Sequence, residues 1–183
     1  MCRYAHYSYK PHLACFDCRK TFKRRHLADI QRGATDSVAA KCPQCQGLLA
    51  NMGLDFKSPP ASDYKAWQHL RSLYAAGITY HSCGCSGPGY VPATTAALAT
   101  YLAERLTGYV QELRYWLTRP EPTTKAEREA DHPQSQAHHY QLPYSLTRQQ
   151  KRIDAAQALA YWQQRVAQVE NDLNRVKAQL PVG

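Results

Sequence analysis

The sequence predicts an α+β chain: small β-hairpins with one short helix, then a long antiparallel hairpin of two helices. Three observations carry that expectation. Two Cys-x-x-Cys pairs, flanked by short alternating segments, lie within the first fifty residues. A Pro59-Pro60 break follows them. Beyond it, residues 93–119 and 147–180 carry apolar side chains at three- and four-residue intervals, the signature of amphipathic helices. The expected division is 1–91 for the β-containing part and 92–183 for the helical hairpin, with a proline-containing linker at 120–146.

The N-terminal strands are expected around the cysteines. Tyr7-Ser8-Tyr9-Lys10 alternates aromatic and polar residues, as a half-buried strand does. Val38-Ala39-Ala40-Lys41 leads into the second pair and Leu48-Leu49-Ala50 leaves it. His26–Gln31 reads as a helical turn ahead of a loop at Gly33. After Pro59-Pro60, Ser62 is the expected N-cap of a helix over Asp63–Ala76, with Gly77 just past its end. Trp67, Leu70, Leu73 and Tyr74 give that helix one apolar face. It is expected to pack a strand at 78–82 against the cysteine-bearing part.

Pro92 suits the first turn of the next helix, which ends before Pro120. Leu98, Leu102, Leu106, Tyr109, Leu113 and Trp116 form its stripe. In the last helix Leu159, Trp162, Val166, Val169, Leu173, Val176 and Leu180 alternate spacings of three and four, a coiled-coil-like heptad seam. The two stripes match, so an intramolecular pair is favoured over dimerisation through the last seam. The segment between them holds four prolines, no glycine and no apolar period. It is expected to be a functional or mobile linker, with His132, His138 and His139 solvated.

The seven cysteines carry the chemistry. Cys15-x-x-Cys18 and Cys42-x-x-Cys45 are separated by 23 residues. Two residues between cysteines let a turn aim both sulfurs at one ion, and two such turns complete a tetrahedral site. A thioredoxin-like pair would follow a strand and open a helix, whereas here Arg19–Lys23 and Gln46-Gly47 both read as turns. Cys15, Cys18, Cys42 and Cys45 are therefore the expected ligands of one structural zinc. Cys42-Pro43-Gln44-Cys45-Gln46-Gly47 is close to the Cys-Pro-x-Cys-Gly knuckle, and on these residues the span 5–56 resembles a zinc ribbon. It departs from that pattern in two places: the glycine of the second knuckle comes one residue late, and Arg19 stands where many ribbons have a small residue. The resemblance implies a β-hairpin module held by metal. It also places the chain among modules common in transcription, translation and RNA handling, many of which are only scaffolds.

A second set, His81, Cys83 and Cys85, alternates along an extended segment and so shares one face. With Cys2, His6 or His12 as a fourth ligand it is a candidate second metal site. The competing reading is plain thiols in a glycine-rich turn.

The formal net charge is +9, and residues 1–50 supply +6 of it. A zinc ion held by four thiolates carries −2, which lowers the local excess to about +4. The basic run Arg19, Lys20, Lys23, Arg24 and Arg25 points to a polyanionic partner, RNA or the ribosome first. Tyr4, Tyr7, Tyr9 and Phe22 are available for base stacking. The alternative is a protein-interaction adaptor that uses the helical hairpin, marked by Trp116 or Trp162, with the zinc purely structural. The patterns His-x-Glu with Pro-Cys-x-x-Cys, and His-Glu-x-x-His, are absent, so no enzyme is expected. No apolar run opens the chain at Met1–His6 and none is long enough to span a membrane. A reducing, cytoplasmic setting is expected.

Overall fold

The computed structural model describes residues 10–23, 40–81, 87–147 and 154–180, except the side chains of Arg128 and His132. It is an α+β chain: a three-stranded antiparallel sheet in the N-terminal part, followed by helices. The contacts divide it into two units, 1–98 with 179–183, and 99–178.

In the first unit, β1 (His12–Cys15) is the central strand, between β2 (Lys20–Lys23) and β3 (Ala50–Gly53). Leu13 opposes Phe22 on one side and Asn51 on the other. Lys20–Lys23 is thus a strand and not part of a turn: the turn closes over 16–19, because Cys15 and Cys18 must face one another and the chain then returns along β1. Residues 7–9 of the expected strand at 7–10, the helical turn at 26–31 and the segment 38–39 lie outside the described residues, and Lys10 is in no strand. An isolated bridge, Lys41 to Leu48, closes the second cysteine turn.

The first helix, α1 (Tyr64–Ala75), buries Trp67, Leu70 and Leu73, as its sequence period requires. Tyr74 stays 39% exposed. Its N-cap is Asp63 and not Ser62: the Asp63 carboxylate accepts the Ala66 N–H at 3.0 Å. At the other end Gly77 takes φ +74°. Gly77 N–H donates to Tyr74 O at 3.0 Å and Ile78 N–H to Leu73 O at 2.9 Å, which closes the helix in a Schellman motif. The chain then runs beside β3. Tyr80 N–H donates to Met52 O at 2.8 Å and Asp55 N–H to Tyr80 O at 3.2 Å. Those bonds bring 78–81 alongside the sheet without making a regular strand. Gly53, at φ +90°, permits the approach, since a Cβ there would meet the Tyr80 carbonyl at 2.6 Å. Around these elements Leu13, Ala14, Met52, Phe56, Trp67 and Leu73 form a buried core.

The helix α2 (Thr95–Thr118) starts three residues beyond Pro92. Its first turn is capped by Thr94, whose hydroxyl accepts the Ala97 N–H at 3.1 Å. The final long helix is α5 (Ala155–Lys177), capped by Asp154. It starts at Ala155 and not at 147, because Asp154 takes the extended backbone of an N-cap, and Tyr144–Thr147 is a separate turn of helix. Every stripe residue expected on α2 and α5 is buried or half-buried. In the second unit Trp116, Ala158 and Trp162 share a core cluster, and the Tyr109 and Trp162 rings lie 5.3 Å apart. Tyr109 also reaches Arg165, one turn further along α5. Descending α2 while ascending α5 is the antiparallel pairing that the matched stripes predict.

Trp116 and Trp162 are each 2% exposed. They are core, which removes them as marks of a docking surface. Among the described residues the large exposed apolar side chains of this unit are Leu117, Tyr140 and Tyr144.

The span expected to be a linker contains a 16-residue helix, α3 (Lys125–Tyr140), and the single turn α4 (Tyr144–Thr147). A capping box starts α3: the Thr124 hydroxyl accepts the Glu127 N–H at 3.2 Å and the Glu127 carboxylate accepts the Thr124 N–H at 3.1 Å. Polar and aromatic contacts hold it where an apolar stripe usually would. Arg119 pairs with Asp131, Nε donating at 3.0 Å. His138 stacks on Tyr115 at 3.5 Å and bonds Glu112 through Nδ1 at 2.9 Å. His139 stacks on Trp116. His138 and His139 are therefore packed, half-buried side chains, contrary to the expected solvated histidines.

Candidate metal centre

The site is assembled by two turns. The first leaves β1, so Cys15 is fixed by the central strand and is 1% exposed. Cys18 follows at the end of the turn, where its N–H points at the Cys15 sulfur at 3.5 Å. The second is tied at its base: Gln46 N–H donates to Cys42 O at 2.9 Å and Cys42 N–H to Gly47 O at 2.8 Å. Cys42 is buried and Cys45 exposed.

All four Sγ atoms lie within 4.8 Å of one another. Cys15 and Cys45 are 3.5 Å apart, and Cys42 and Cys18 are 3.9 Å apart. Four sulfurs at about 2.3 Å from a tetrahedral ion would be separated by about 3.8 Å. The group therefore has the donor set and the dimensions for one metal ion such as zinc. All four cysteines are free thiols, so none is consumed by a disulfide.

Both departures from the usual knuckle have a structural account. The residue after each second cysteine needs a left-handed backbone to turn the chain away from the sulfurs. Arg19 takes φ 51° and Gln46 φ 60° there, in the small region that side chains other than glycine enter at a cost. Gly47 lies against the site: a Cβ on it would stand 3.4 Å from the Cys45 sulfur, at the edge of ordinary contact, so the late glycine keeps that side of a candidate ligand uncrowded.

Electrostatically the thiols are unequal. The Cys45 and Gln44 backbone N–H groups hold Cys42 down to about 7, against the opposing effect of burial. Hydrogen bonding with the Cys45 sulfur, then desolvation, pushes Cys18 up to about 12. Burial also raises Cys15. Four crowded sulfurs resist collecting four negative charges, and a divalent cation among them relieves that resistance.

The first turn is fastened to α1. Phe16 meets Trp67 edge-on at 6.4 Å and Tyr74 at 5.7 Å. Asp17 pairs with Arg71, and the Arg19 guanidinium lies 5.7 Å from the Tyr64 ring centre. Sequence reading missed these anchors, although Phe16 and Arg19 stand beside the cysteines and Tyr64 and Arg71 carry no periodic signal.

Of the expected basic contact residues, Lys20 and Lys23 are exposed on β2 and Arg19 is half-buried against Tyr64. Arg24 and Arg25 lie outside the described residues, as do Tyr4, Tyr7 and Tyr9. The described residues do not test the second metal set: Cys2, His6, Cys83 and Cys85 fall outside them, and of its core trio His81 is described, with an exposed side chain. His12 is engaged elsewhere, its Nδ1 lying 2.6 Å from Phe56 O.

Compared with known proteins, the chain matches no family model, no curated protein and no solved structure. Its class thus rests on its own geometry: an α+β protein with a tetracysteine centre. Among the described residues no helix is long and apolar enough to cross a membrane.

Proposed function

We propose that the tetracysteine centre holds one structural zinc ion in a zinc-ribbon module, and that the module contacts nucleic acid, RNA or the ribosome first. The observation that carries the contact is Lys20 and Lys23, both exposed on the strand that leaves the first cysteine turn. Lys10, Lys41 and Lys57 are exposed in the same unit, so each described lysine of the cysteine module presents its ammonium to solvent. A cleft of about 520 Å³ lies in this unit, lined in part by Lys57, Lys65, His69 and Tyr80 together with the Asp63 carboxylate that caps α1, and it offers two cations and an aromatic ring. Single-stranded nucleic acid is bound by that combination of charge and stacking.

The competing account of Lys20 and Lys23 is that lysines on an edge strand discourage pairing with another sheet. Salt dependence separates the two. Four neutralised phosphates on a single strand give a slope of log K against log salt of about −3. Lys20→Ala with Lys23→Ala flattens it by about 1.4, and an unchanged slope or no binding refutes the contact. The reading gives the zinc no catalytic role, because four protein thiolates leave no coordination position for water. A cytoplasmic setting accords with it, since reduced thiols are what the centre requires.

A further inference from the structure

A group of cations in the second unit takes no part in that reading. On α2, Tyr101, Arg105 and Tyr109 follow one another at four-residue spacing and so share a face. The Arg105 guanidinium lies 5.5 Å from the ring centres of both tyrosines. From α5, Arg165 comes over the same Tyr109 ring at 5.2 Å. Both arginines donate to one oxygen: Arg105 Nη2 to Tyr109 Oη at 2.5 Å, and Arg165 Nη2 to the same Oη at 2.9 Å. The two donor nitrogens are thus no more than about 5.4 Å apart.

Two half-buried like charges held this close repel, and a phenol is a weak counterweight. Among the described residues neither guanidinium pairs with a carboxylate. The buried carboxylates of these helices are committed elsewhere, Glu112 to His138 and Gln141, and Asp172 to Gln168 and Arg175. A guanidinium has five N–H donors, and among the described residues the buried Arg165 Nε–H meets no acceptor. The Tyr109 oxygen, accepting from both arginines, keeps its own proton to donate.

We propose that Arg105, Arg165 and Tyr109 form a binding site for a phosphate group, either free phosphate or a small phosphate monoester. A phosphate monoester brings about −1.5 to −2 charges and three acceptor oxygens, and free phosphate a similar charge and four oxygens. Two guanidinium forks and one hydroxyl present the matching charge and donors, and Arg is the side chain whose planar geometry suits phosphate. Tyr109 is a positioning residue as well as a donor, since it fixes both forks on the facing helices. The site is independent of the nucleic-acid contact, because it uses none of the lysines of the cysteine module.

The test uses the full chain with its metal. Inorganic phosphate is titrated at constant ionic strength, with chloride as the balancing anion, and ³¹P line width and melting temperature are followed. A saturable response to phosphate but not chloride is expected. Arg165→Gln and Arg105→Gln each weaken it by about tenfold or more, and Arg165→Lys, which keeps the charge but not the fork, weakens it less. Phosphoserine and a nucleoside monophosphate, titrated alongside, distinguish the sources: tighter binding of either assigns the site to a monoester, and equal binding assigns it to free phosphate. The absence of a saturable wild-type response overturns the proposal without any variant. So does an undiminished response in a folded Arg165→Gln protein. A phenolate absorption band lost in Tyr109→Phe at neutral pH also overturns it, because the charge would then be balanced from within.

Discussion

Replacing Gly53 with alanine puts one methyl group where the structure has no room for it. The position sits at φ +90°, and an ideal Cβ would stand 2.6 Å from Tyr80 C, Tyr80 O and His81 N. All three are backbone atoms, so no side chain can swing aside. Two costs add. The left-handed backbone strains an L residue by about 1–2 kcal/mol. Displacing 80–81 also loosens the Tyr80 N–H bond to Met52 O, at 2.8 Å, worth about 0.5–1.5 kcal/mol. A destabilisation of about 1.5–3.5 kcal/mol is expected. Gly77 supplies the control, with φ +74° and nothing within 4 Å of an added Cβ. Gly77→Ala should therefore cost the strain alone, about 1–2 kcal/mol. Urea unfolding of the metal-loaded proteins measures both. Equal costs for the two variants would refute the reasoning, because the clash at 80–81 would then contribute nothing.

Other outcomes follow from the same geometry. A strong chelator should abolish the tertiary signals of the cysteine module while leaving most of the far-ultraviolet helix signal, since the helical core cluster contains none of the four thiols; parallel loss of both would show that the centre sustains the whole chain. Cys45→Ser, at the exposed corner of the centre, should lower zinc affinity by about tenfold or more in a competition with a chromophoric chelator. Asp131→Ala should cost about 1–3 kcal/mol by breaking its partly buried pair with Arg119. Hydrogen bonding from Arg119 depresses the Asp131 carboxyl below its ordinary 3.8. The pair therefore stabilises the fold fully above that value and loses its effect as pH falls through the lower folded one. The gap between wild type and variant in an acid titration should be constant near neutrality and close below about pH 4.

How far the sequence reveals this structure depends on what holds each element. The stripes of α1, α2 and α5 are legible because apolar burial imposes a period, and Trp67, Trp116, Trp162 and Leu173 all fall on it. The tetracysteine group is legible because metal geometry imposes a spacing. The helix α3 is not, since Asp131, His138 and His139 hold it through an ion pair and stacked rings, which have no period, and Pro133 stands inside it. The strand β2 is hidden for a related reason: Lys-Thr-Phe-Lys is polar enough to read as a turn, and only its pairing with β1 makes it a strand. The pairing of β1 with β3 joins residues more than thirty positions apart, a separation that no local pattern encodes.

The fastening of the first cysteine turn to α1 has an optical consequence. Phe16, one residue from a candidate ligand, touches the indole of Trp67, which is 2% exposed and hydrogen-bonded through Nε1 to Pro60 O at 3.1 Å. The other two tryptophans, Trp116 and Trp162, belong to the helical core cluster. A change in how the four sulfurs are held should shift Phe16 and with it the polarity around one indole of three. Trp67 fluorescence is therefore expected to report on metal occupancy without a label, as a change upon chelation that a Trp67→Phe protein lacks.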